Sequence, residues 1–368
     1  MATNPRTGWT PDWAVPPGEI LLEALQDRGM SQSELARRMA RPVKTINEII
    51  NGKAAITSET AIQLERTLGI SARFWTGVEA SYRDSLAQEE AQRELEANVA
   101  WIDDFPIADL IKRKQLRRGS SKAETLANLL SYLGLSSPAA FDRQWLGSAV
   151  AFRSSPTFLA SPKAVAAWLR WGEREAGNVN APAFDAQRFR QVLQEIRPLT
   201  RREPFMQIFE RVKAMCATAG VILVLVPELA GTHLNGATRW FGNNAVIQLS
   251  NRHKSDDQFW FTFFHEAGHL LLGSRRQDFL DPAESKAGET DGSDEEEANQ
   301  FARDVLLPLA EYEAFVQVGD FSATAIRMFA EHQAIAPGIV VGRLQRDQLL
   351  LPNQLRHLKK PIRFPTDH

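Results

Sequence analysis

A short motif within a strongly apolar segment constrains the fold of this chain most. Residues 259–273 read FWFTFFHEAGHLLLG, so apolar side chains surround a His-Glu-x-x-His motif. On a helix, His265 and His269 lie one turn apart on one face, which is the spacing required to hold one zinc ion. Glu266 is rotated by about 100° from His265, so it can reach a zinc-bound water as a general base. The segment therefore predicts a buried helix with a catalytic zinc site.

The next polar helix offers a third zinc ligand. In SDEEEANQFARDVLLP (293–308), Glu295 shares one helical face with two alanines and Asn299, and small residues there would allow close packing on the zinc helix. Glu295 is the predicted ligand, and Asn299 is predicted to hydrogen-bond a ligand histidine. Glu296 remains a rival, because acidic residues also simply favour a helix N-terminus.

Two questions about this site stay open at the level of sequence. Without a metal, the two histidines could be core residues that are hydrogen-bonded to backbone groups. An oxyanion stabiliser is not fixed by any spacing. Its candidates by residue type are His233, Arg239, His253 and Tyr312.

A second motif lies near the N-terminus. In SQSELARRMARPVKTINEIING (31–52), Ser31 and Glu34 match a helix-capping box, and Pro42 suits the first turn of a second helix. Ile46, Ile49 and Ile50 have the spacing of its inward face. Two short helices across a tight break, with basic and amide side chains on the outer face of the second, predict a helix-turn-helix that enters the DNA major groove.

The predicted DNA contacts combine phosphate-binding cations with side chains that can read base edges. They are Gln32, Arg38, Arg41, Lys44, Thr45, Asn47, Asn51 and Lys53. The competing interpretation is a plain helical bundle with a solvated charged face.

The N-terminal segment resembles the repressor-type helix-turn-helix of HigA-like antitoxins. The resemblance covers about residues 16–85, including INEIINGK and the later Phe74-Trp75 pair. One departure is Ala40-Arg41-Pro42, where that family usually has a glycine, an aliphatic residue and a serine. The resemblance implies a homodimer that binds a palindromic operator in double-stranded DNA at its own promoter.

Residues of about 205–320 resemble the ImmA/IrrE family of zinc metallopeptidases. The resemblance rests on His265-Glu266-Ala267-Gly268-His269 and on Glu295-x-x-Ala298-Asn299-x-Phe301-Ala302 with Leu306-Leu307-Pro308. It implies a zincin-like fold in which His265, His269 and Glu295 bind zinc and Glu266 is the base. That fold places a sheet edge beside the active helix, and strand 245–250 is the predicted edge where a peptide could add.

The length and net charge of the chain limit the number of domains and the way in which it can contact DNA. A chain of 368 residues exceeds one ordinary domain, and its net charge of −2 requires any DNA contact to come from a local basic patch. We expect an α+β, mostly α protein. Its predicted parts are an arm (1–16), a helix-turn-helix domain (17–85), a helical connector and middle region (86–200), a zincin-like metallopeptidase domain (201–350) and a tail (351–368).

Other compositional features point to a cytoplasmic protein. The single cysteine, Cys216, excludes a cysteine-based zinc cluster, and no signal peptide or membrane segment is expected. The basic segment 111–118 and the acidic residues around 278–297 have opposite charge. They could approach each other and control access to the zinc, or they could be separate solvated surfaces.

Two functions follow. The first is an antitoxin-like, autoregulatory transcription factor that carries a zinc endopeptidase, latent or conditional, which acts on a protein substrate such as a repressor or a toxin partner. The second is a non-proteolytic antitoxin or sensor whose metal domain only binds a toxin or a ligand. Cleavage of a partner that chelation abolishes would favour the first.

Overall fold

The structure is a computed structural model that describes residues 15–146, 161–252, 254–273, 293–362 and 364. By its internal contacts the chain divides into two compact units, Met1–Val99 and Ala100–His368. Most of the expected arm, His253 and most of the acidic segment around 278–297 lie outside the described residues, so the proposed approach of acidic and basic segments stays a prediction. None of the helices in the described ranges has the length and apolar character needed to cross a membrane.

The first unit is entirely helical over its described residues. Its helices are α1 (Pro17–Gln26), α2 (Gln32–Arg38), α3 (Val43–Ile50), α4 (Ser58–Leu68) and α5 (Ala72–Ala97). Leu35 from α2, Ile46 and Ile49 from α3, and Trp75 from α5 are almost completely buried in one core. Helix α5 continues past residue 85, where we expected the domain boundary, and its second half is mostly exposed.

The observed N-terminal caps of α2 and α3 agree only in part with those predicted from the sequence. The Ser31 hydroxyl accepts a 3.1 Å hydrogen bond from the Glu34 backbone N–H, as the capping box requires. The Glu34 carboxylate, however, accepts a 2.8 Å hydrogen bond from Arg38. Pro42 lies at the N-cap of α3 rather than in its first turn, because its extended backbone leads the chain out of the turn.

The turn between α2 and α3 contains an unusual backbone conformation. Ala40 has a φ of 51°, in the left-handed region, where an L side chain crowds the following carbonyl and costs about 1–2 kcal/mol. This is the position where the resembled antitoxin family usually has glycine. The chain thus keeps the tight turn at an energetic cost that a glycine would avoid.

We expect Ala40→Gly to stabilise the helix-turn-helix unit. Relief of the left-handed strain outweighs the greater backbone entropy of glycine in the unfolded chain, so the free energy of unfolding should rise by about 0.5–1 kcal/mol. Ala80→Gly, at an exposed interior position of α5, should instead lower it by about 1 kcal/mol. Urea unfolding followed by circular dichroism measures both changes, and a loss of stability in both variants would contradict the argument.

The second unit is mostly helical, with one small sheet. Its helices are α6 (Ile107–Lys112), α7 (Lys122–Leu133), α8 (Ala139–Phe141), α9 (Pro162–Ala176), α10 (Ala186–Ile196), α11 (Phe205–Ala217), α12 (Asp256–Leu272), α13 (Ser293–Leu306), α14 (Leu309–Val318), α15 (Ala323–His332) and α16 (Pro337–Arg346). Its strands are β1 (Val221–Leu225), β2 (Gly236–Phe241) and β3 (Asn244–Leu249). This confirms the expected α+β, mostly α class.

The sheet corrects one prediction about the strands. Its order is β1-β3-β2, with β3 parallel to β1 and antiparallel to β2. Strand β3 is therefore central, and the prediction that residues 245–250 form the edge was wrong. The edge strands are β1 and β2. The sequence analysis identified neither of them as an edge, and β2 contacts α12 through Thr238 and Glu266. A two-residue turn at Gly242-Asn243 joins β2 to β3, and that dipeptide is a known hairpin signal.

Helices cover both faces of the sheet. Leu223 and Ile247 point into the same core as the apolar side chains of α12. On the opposite face, the Gln248 side chain donates a 2.7 Å hydrogen bond to the Trp168 carbonyl of α9. The Trp168 indole donates a 3.1 Å hydrogen bond to the Val226 carbonyl, just after β1. Helix α9, from the expected middle region, is thus part of the sheet-containing fold.

The end of the chain packs against the start of α12. The Asp256 and Ile362 backbone N–H groups donate 2.9 and 2.8 Å hydrogen bonds to the Lys360 and Lys254 carbonyls. Asp256 Oδ1 accepts 2.9 Å hydrogen bonds from the backbone N–H groups of Asp257 and Lys360. Asp256 is 4% exposed, and this burial raises the pKa of its carboxyl to about 6.

We expect Asp256→Asn to stabilise the second unit at neutral pH. The folded pKa lies above the unfolded value, so the ionised form opposes folding, and stability rises as pH falls from about 6 towards 4. Asparagine mimics the protonated state, so the variant should gain up to about 3 kcal/mol at about pH 8 and almost nothing at about pH 4. Urea unfolding of metal-free protein measures the difference. Asp304→Asn, at an exposed position, is the control, and an equal gain at both pH values would contradict the assignment.

Candidate metal centre and candidate DNA-binding face

Three side chains from α12 and α13 converge at one point. The Nε2 atoms of His265 and His269 are 3.0 Å apart. The two carboxylate oxygens of Glu295 lie 3.4 Å from these nitrogens, one from each. Among the described residues, these three form a group whose ligand atoms all lie within 4.8 Å of one another. The structure therefore brings together the three residues that were predicted as metal ligands.

Close packing of the two helices creates this convergence. Gly268 faces α13, and a Cβ at this position would lie 3.1 Å from the Ala298 Cα. A Cβ here would require α12 or α13 to move by a few tenths of an ångström, so glycine permits the close packing of the two helices. The rival carboxylate, Glu296, instead pairs with Arg303 of its own helix.

The spacing of the three side chains fits a zinc ion. A tetrahedral zinc with bonds of about 2.0–2.1 Å separates its ligand atoms by about 3.3–3.4 Å. Each histidine Nε2 lies 3.4 Å from one of the two Glu295 carboxylate oxygens, and the two Nε2 atoms are slightly closer, at 3.0 Å. Side-chain exposures of 15% for His265, 27% for His269 and 59% for Glu295 leave the point accessible from solvent. Three protein ligands with an accessible side are the arrangement of catalytic rather than structural zinc sites.

The electrostatics of the group favour a cation. Hydrogen bonds with His265 and His269 hold the pKa of Glu295 well below its usual range. Burial lowers the pKa of His269, but its hydrogen bond with Glu295 and the charge of Glu266 outweigh burial and raise it.

Asn299 orients one of the histidines. Its Oδ1 atom lies 3.1 Å from His265 Nδ1. An amide oxygen can only accept, so Nδ1 carries the proton in this hydrogen bond. The lone pair of Nε2 then points towards Glu295 and His269, as a metal ligand requires.

Glu266 lies beside the group and against the edge strand. It is 7% exposed, and its Oε2 atom accepts a 2.7 Å hydrogen bond from the Thr238 hydroxyl of β2. A Cβ at Gly236 would lie only 2.6 Å from Glu266 Oε1, so glycine leaves room for the carboxylate. The sequence analysis missed both β2 residues. A glycine within a strand, which often marks such a close approach, was the available signal.

The oxyanion candidates of the second unit have structural partners. Arg239 donates a 2.8 Å hydrogen bond to Glu173 and a 2.5 Å hydrogen bond to the Leu169 carbonyl, both on α9. The Tyr312 hydroxyl donates a 2.7 Å hydrogen bond to Asp347, and His233 Nδ1 lies 3.6 Å from Glu228. These contacts give Arg239 and Tyr312 roles in holding the fold.

The outer face of α3 gathers several of the predicted DNA contacts. Asn47 donates a 3.4 Å hydrogen bond to Gln32 of α2, and Asn51 donates a 3.1 Å hydrogen bond to the Asn47 side chain. These amides form one polar row across the two helices. Thr45 and Lys53 have no side-chain partner among the residues the structure describes.

The predicted phosphate-binding cations differ in their exposure and in how firmly neighbouring carboxylates hold them. Arg41 is 22% exposed and pairs with Glu59 at 3.0 Å. Arg38 is 52% exposed with Glu34 at 2.8 Å, and Lys44 is 84% exposed and 3.7 Å from Glu48. Arg41 is therefore held against α4, whereas Arg38 and Lys44 extend from the surface and can exchange weak intrahelical pairs for other anions.

Comparison with known proteins matches each unit to a known family. Residues 21–75 match the helix-turn-helix family, and residues 222–327 match the IrrE N-terminal-like domain, a peptidase family. The chain therefore combines a helix-turn-helix domain with an IrrE N-terminal-like domain.

Individual relatives cover the N-terminal quarter of the chain. It is 34% identical over 90 residues to an uncharacterized HTH-type transcriptional regulator, YddM, of Escherichia coli (strain K12), with 24% of this chain and 83% of that protein covered. It is 35% identical over 80 residues to virulence-associated protein I of Dichelobacter nodosus, with 22% and 74% covered. An addiction module antidote protein of the HigA family from Coxiella burnetii is 32% identical, covers 23% of this chain and 92% of its own, and has a TM-score of 0.22. In its N-terminal region the chain belongs to the helix-turn-helix family.

Proposed function

We propose that this protein is a promoter-binding regulator with a zinc-dependent endopeptidase domain. The observation that carries the enzymatic part is the convergence of His265, His269 and Glu295, with the buried carboxylate of Glu266 beside them. A structural role for the histidines would not require a carboxylate whose oxygens lie 3.4 Å from the Nε2 atoms of both.

His265, His269 and Glu295 would hold the zinc. When bound there, zinc would polarise a substrate carbonyl and lower the pKa of an attacking water. Glu266 is the base that takes the proton of that water and later delivers it to the leaving amine. The Thr238 hydroxyl fixes the Glu266 carboxylate at 2.7 Å, and Asn299 keeps His265 in the tautomer with a free Nε2.

We further propose that the substrate is an extended protein segment that binds along β2. Within the described residues β2 pairs only with β3, so its other edge offers backbone groups for an added strand. Thr238 of the same strand touches Glu266, which would align a bound peptide with the catalytic group. A repressor or a toxin partner is the substrate class that fits a regulator.

The DNA-binding part rests on the first unit. The polar row of Gln32, Asn47 and Asn51 lies on the face that a recognition helix presents to base edges. The resemblance to an HTH-type transcriptional regulator supports the same role. We propose a homodimer that binds a palindromic operator, and promoter binding would place the protein in the cytoplasm.

A proteome cleavage experiment tests the peptidase. The zinc-loaded full chain is incubated with cell extract, and newly formed protein N-termini are identified by mass spectrometry. We expect a small set of time-dependent cleavages that a chelator abolishes and that Glu266→Gln lacks despite bound zinc. Cleavages that persist in Glu266→Gln would contradict the role of Glu266. Zinc binding without any cleavage would favour the non-proteolytic antitoxin or sensor.

A further inference from the structure

A basic loop in the second unit has no role in the site described above. We define the basic loop as residues 112–118, which begin at the last residue of α6 and read KRKQLRR. Four of its cations are exposed: Lys112, Lys114, Arg117 and Arg118. In a chain with a net charge of −2, this is a dense local concentration of positive charge.

Contacts hold the backbone of the basic loop in one conformation. Leu110 and Leu116, which bracket its first half, are 0% and 5% exposed. Arg174 of α9 donates a 3.3 Å hydrogen bond to the Gln115 carbonyl. Asn128 of α7 donates a 3.1 Å hydrogen bond to the Arg117 carbonyl. The backbone is thus ordered before any partner arrives, which reduces the entropy lost on binding.

The fifth cation of the basic loop, Arg113, differs from the four exposed cations because it contacts another part of the second unit. Arg113 is half-buried and donates a 3.4 Å hydrogen bond to the Glu228 carbonyl. The four exposed cations make no ion pair with the residues that the structure describes.

Two neighbouring carboxylates are already engaged. Glu124, which interacts electrostatically with Arg117, accepts a 2.7 Å hydrogen bond from the Ser120 hydroxyl. Asp109 Oδ2 accepts a 2.9 Å hydrogen bond from the Ala230 backbone N–H. Among the described residues, therefore, no carboxylate pairs with the exposed cations, which leaves them able to bind an external anion.

We infer that the basic loop is a second DNA contact, which binds backbone phosphates without reading sequence. This inference rests on the proposed DNA-binding function, which supplies the polyanion. Exposed lysines and arginines on an ordered backbone bind phosphates and release condensed counterions, and this adds salt-dependent affinity for any duplex. The loop would keep the second unit close to DNA.

The test compares two triple variants with the same change of net charge. The loop variant is Lys114→Gln/Arg117→Gln/Arg118→Gln. The control variant is Arg202→Gln/Arg211→Gln/Arg327→Gln, which removes three exposed cations that make no ion pair within the described part of the same unit. Fluorescence anisotropy of a labelled random-sequence duplex of about 40 base pairs is measured over a range of salt concentrations. Circular dichroism and zinc content check that each variant is folded.

We expect the loop variant to bind the duplex at least about tenfold more weakly at about 0.1 M salt. Its slope of log affinity against log salt should fall by about two to three, near 0.9 for each phosphate that the variant no longer neutralises. The control variant should bind like the wild type. Equal affinities for all three proteins, or equal losses in both variants, would overturn the inference.

Two further outcomes separate this inference from neighbouring proposals. A wild-type protein that binds no DNA would contradict the proposed DNA-binding function and the inference together. Binding by the wild type that the loop variant retains would contradict the inference alone. A single-stranded RNA of about 40 nucleotides is titrated in parallel, and tighter, loop-dependent binding to it would assign the basic loop to RNA and overturn the DNA assignment.

Discussion

We expect His269→Ala to lose its zinc, from about one ion per chain to almost none. The substitution leaves His265 and Glu295 as the only ligands, and two ligands do not complete a catalytic zinc site. Loss of an outer hydrogen-bond partner typically weakens metal binding about 10–100-fold, so loss of a ligand should weaken it further. Metal analysis by mass spectrometry after dialysis against buffer without zinc measures the occupancy.

Four other variants make this prediction specific. Glu266→Gln and Glu296→Gln should keep the zinc, because Glu266 points to Thr238 and Glu296 pairs with Arg303. Asn299→Ala should bind zinc about 10–100-fold more weakly, since His265 loses its orienting hydrogen bond. His332→Ala changes an exposed histidine of α15 and should have no effect. Full zinc occupancy in His269→Ala would refute the proposed site, and loss of zinc in Glu296→Gln would revive the rival ligand.

The convergence of His265, His269 and Glu295 could be predicted from the sequence because it depends mainly on local helix geometry. His265 and His269 are separated by one helical turn, and this geometry holds wherever the helix packs. The choice of Glu295 over Glu296 required only the register of one more helix, with Ala298 on the same face.

The partners of Glu266 could not be predicted in the same way. Thr238 and Gly236 reach Glu266 from a different part of the chain, across the sheet edge. Their positions depend on the register of β2 against β3, in which Thr238 lies opposite Ile247. A shift of one residue would turn Thr238 to the other face of the sheet, so long-range packing decides this part of the site.

The strand error has a related physical cause. Strand β3 is buried over almost its whole length, and a continuous apolar run is typical of a central strand with both faces covered. Burial alone does not decide the position, because β1 lies at an edge of the sheet and is also buried over most of its length. Strand β2 is mostly of intermediate burial and pairs with a neighbour on one side only, within the described residues. Both features are typical of an edge strand.

The second large effect concerns DNA. We expect Lys44→Glu with Arg38→Glu to weaken binding to the promoter duplex by on the order of 100-fold or more at about 0.1 M salt. Each reversal removes a phosphate-binding cation and adds a repulsive charge. Both side chains are exposed in the free protein, so the fold should persist. Zinc content should not change. Arg211→Glu with Arg327→Glu makes the same change of net charge on the other unit and should have a much smaller effect.

A variant in the polar row distinguishes recognition of bases from attraction to phosphates. Asn47→Ala removes the side chain that links Gln32 to Asn51 but no charge. If Asn47 contacts a base edge, the variant should lose about 1–3 kcal/mol of binding free energy on the operator and keep its affinity for random DNA. Its salt slope on the operator should equal that of the wild type, because the same number of phosphates is neutralised. Equal losses on operator and random duplexes would place Asn47 outside the base-reading surface.

The double variant Lys44→Glu with Arg38→Glu has its own contrary outcome. If it bound the promoter duplex as tightly as the wild type, α3 would not be the helix that enters the groove.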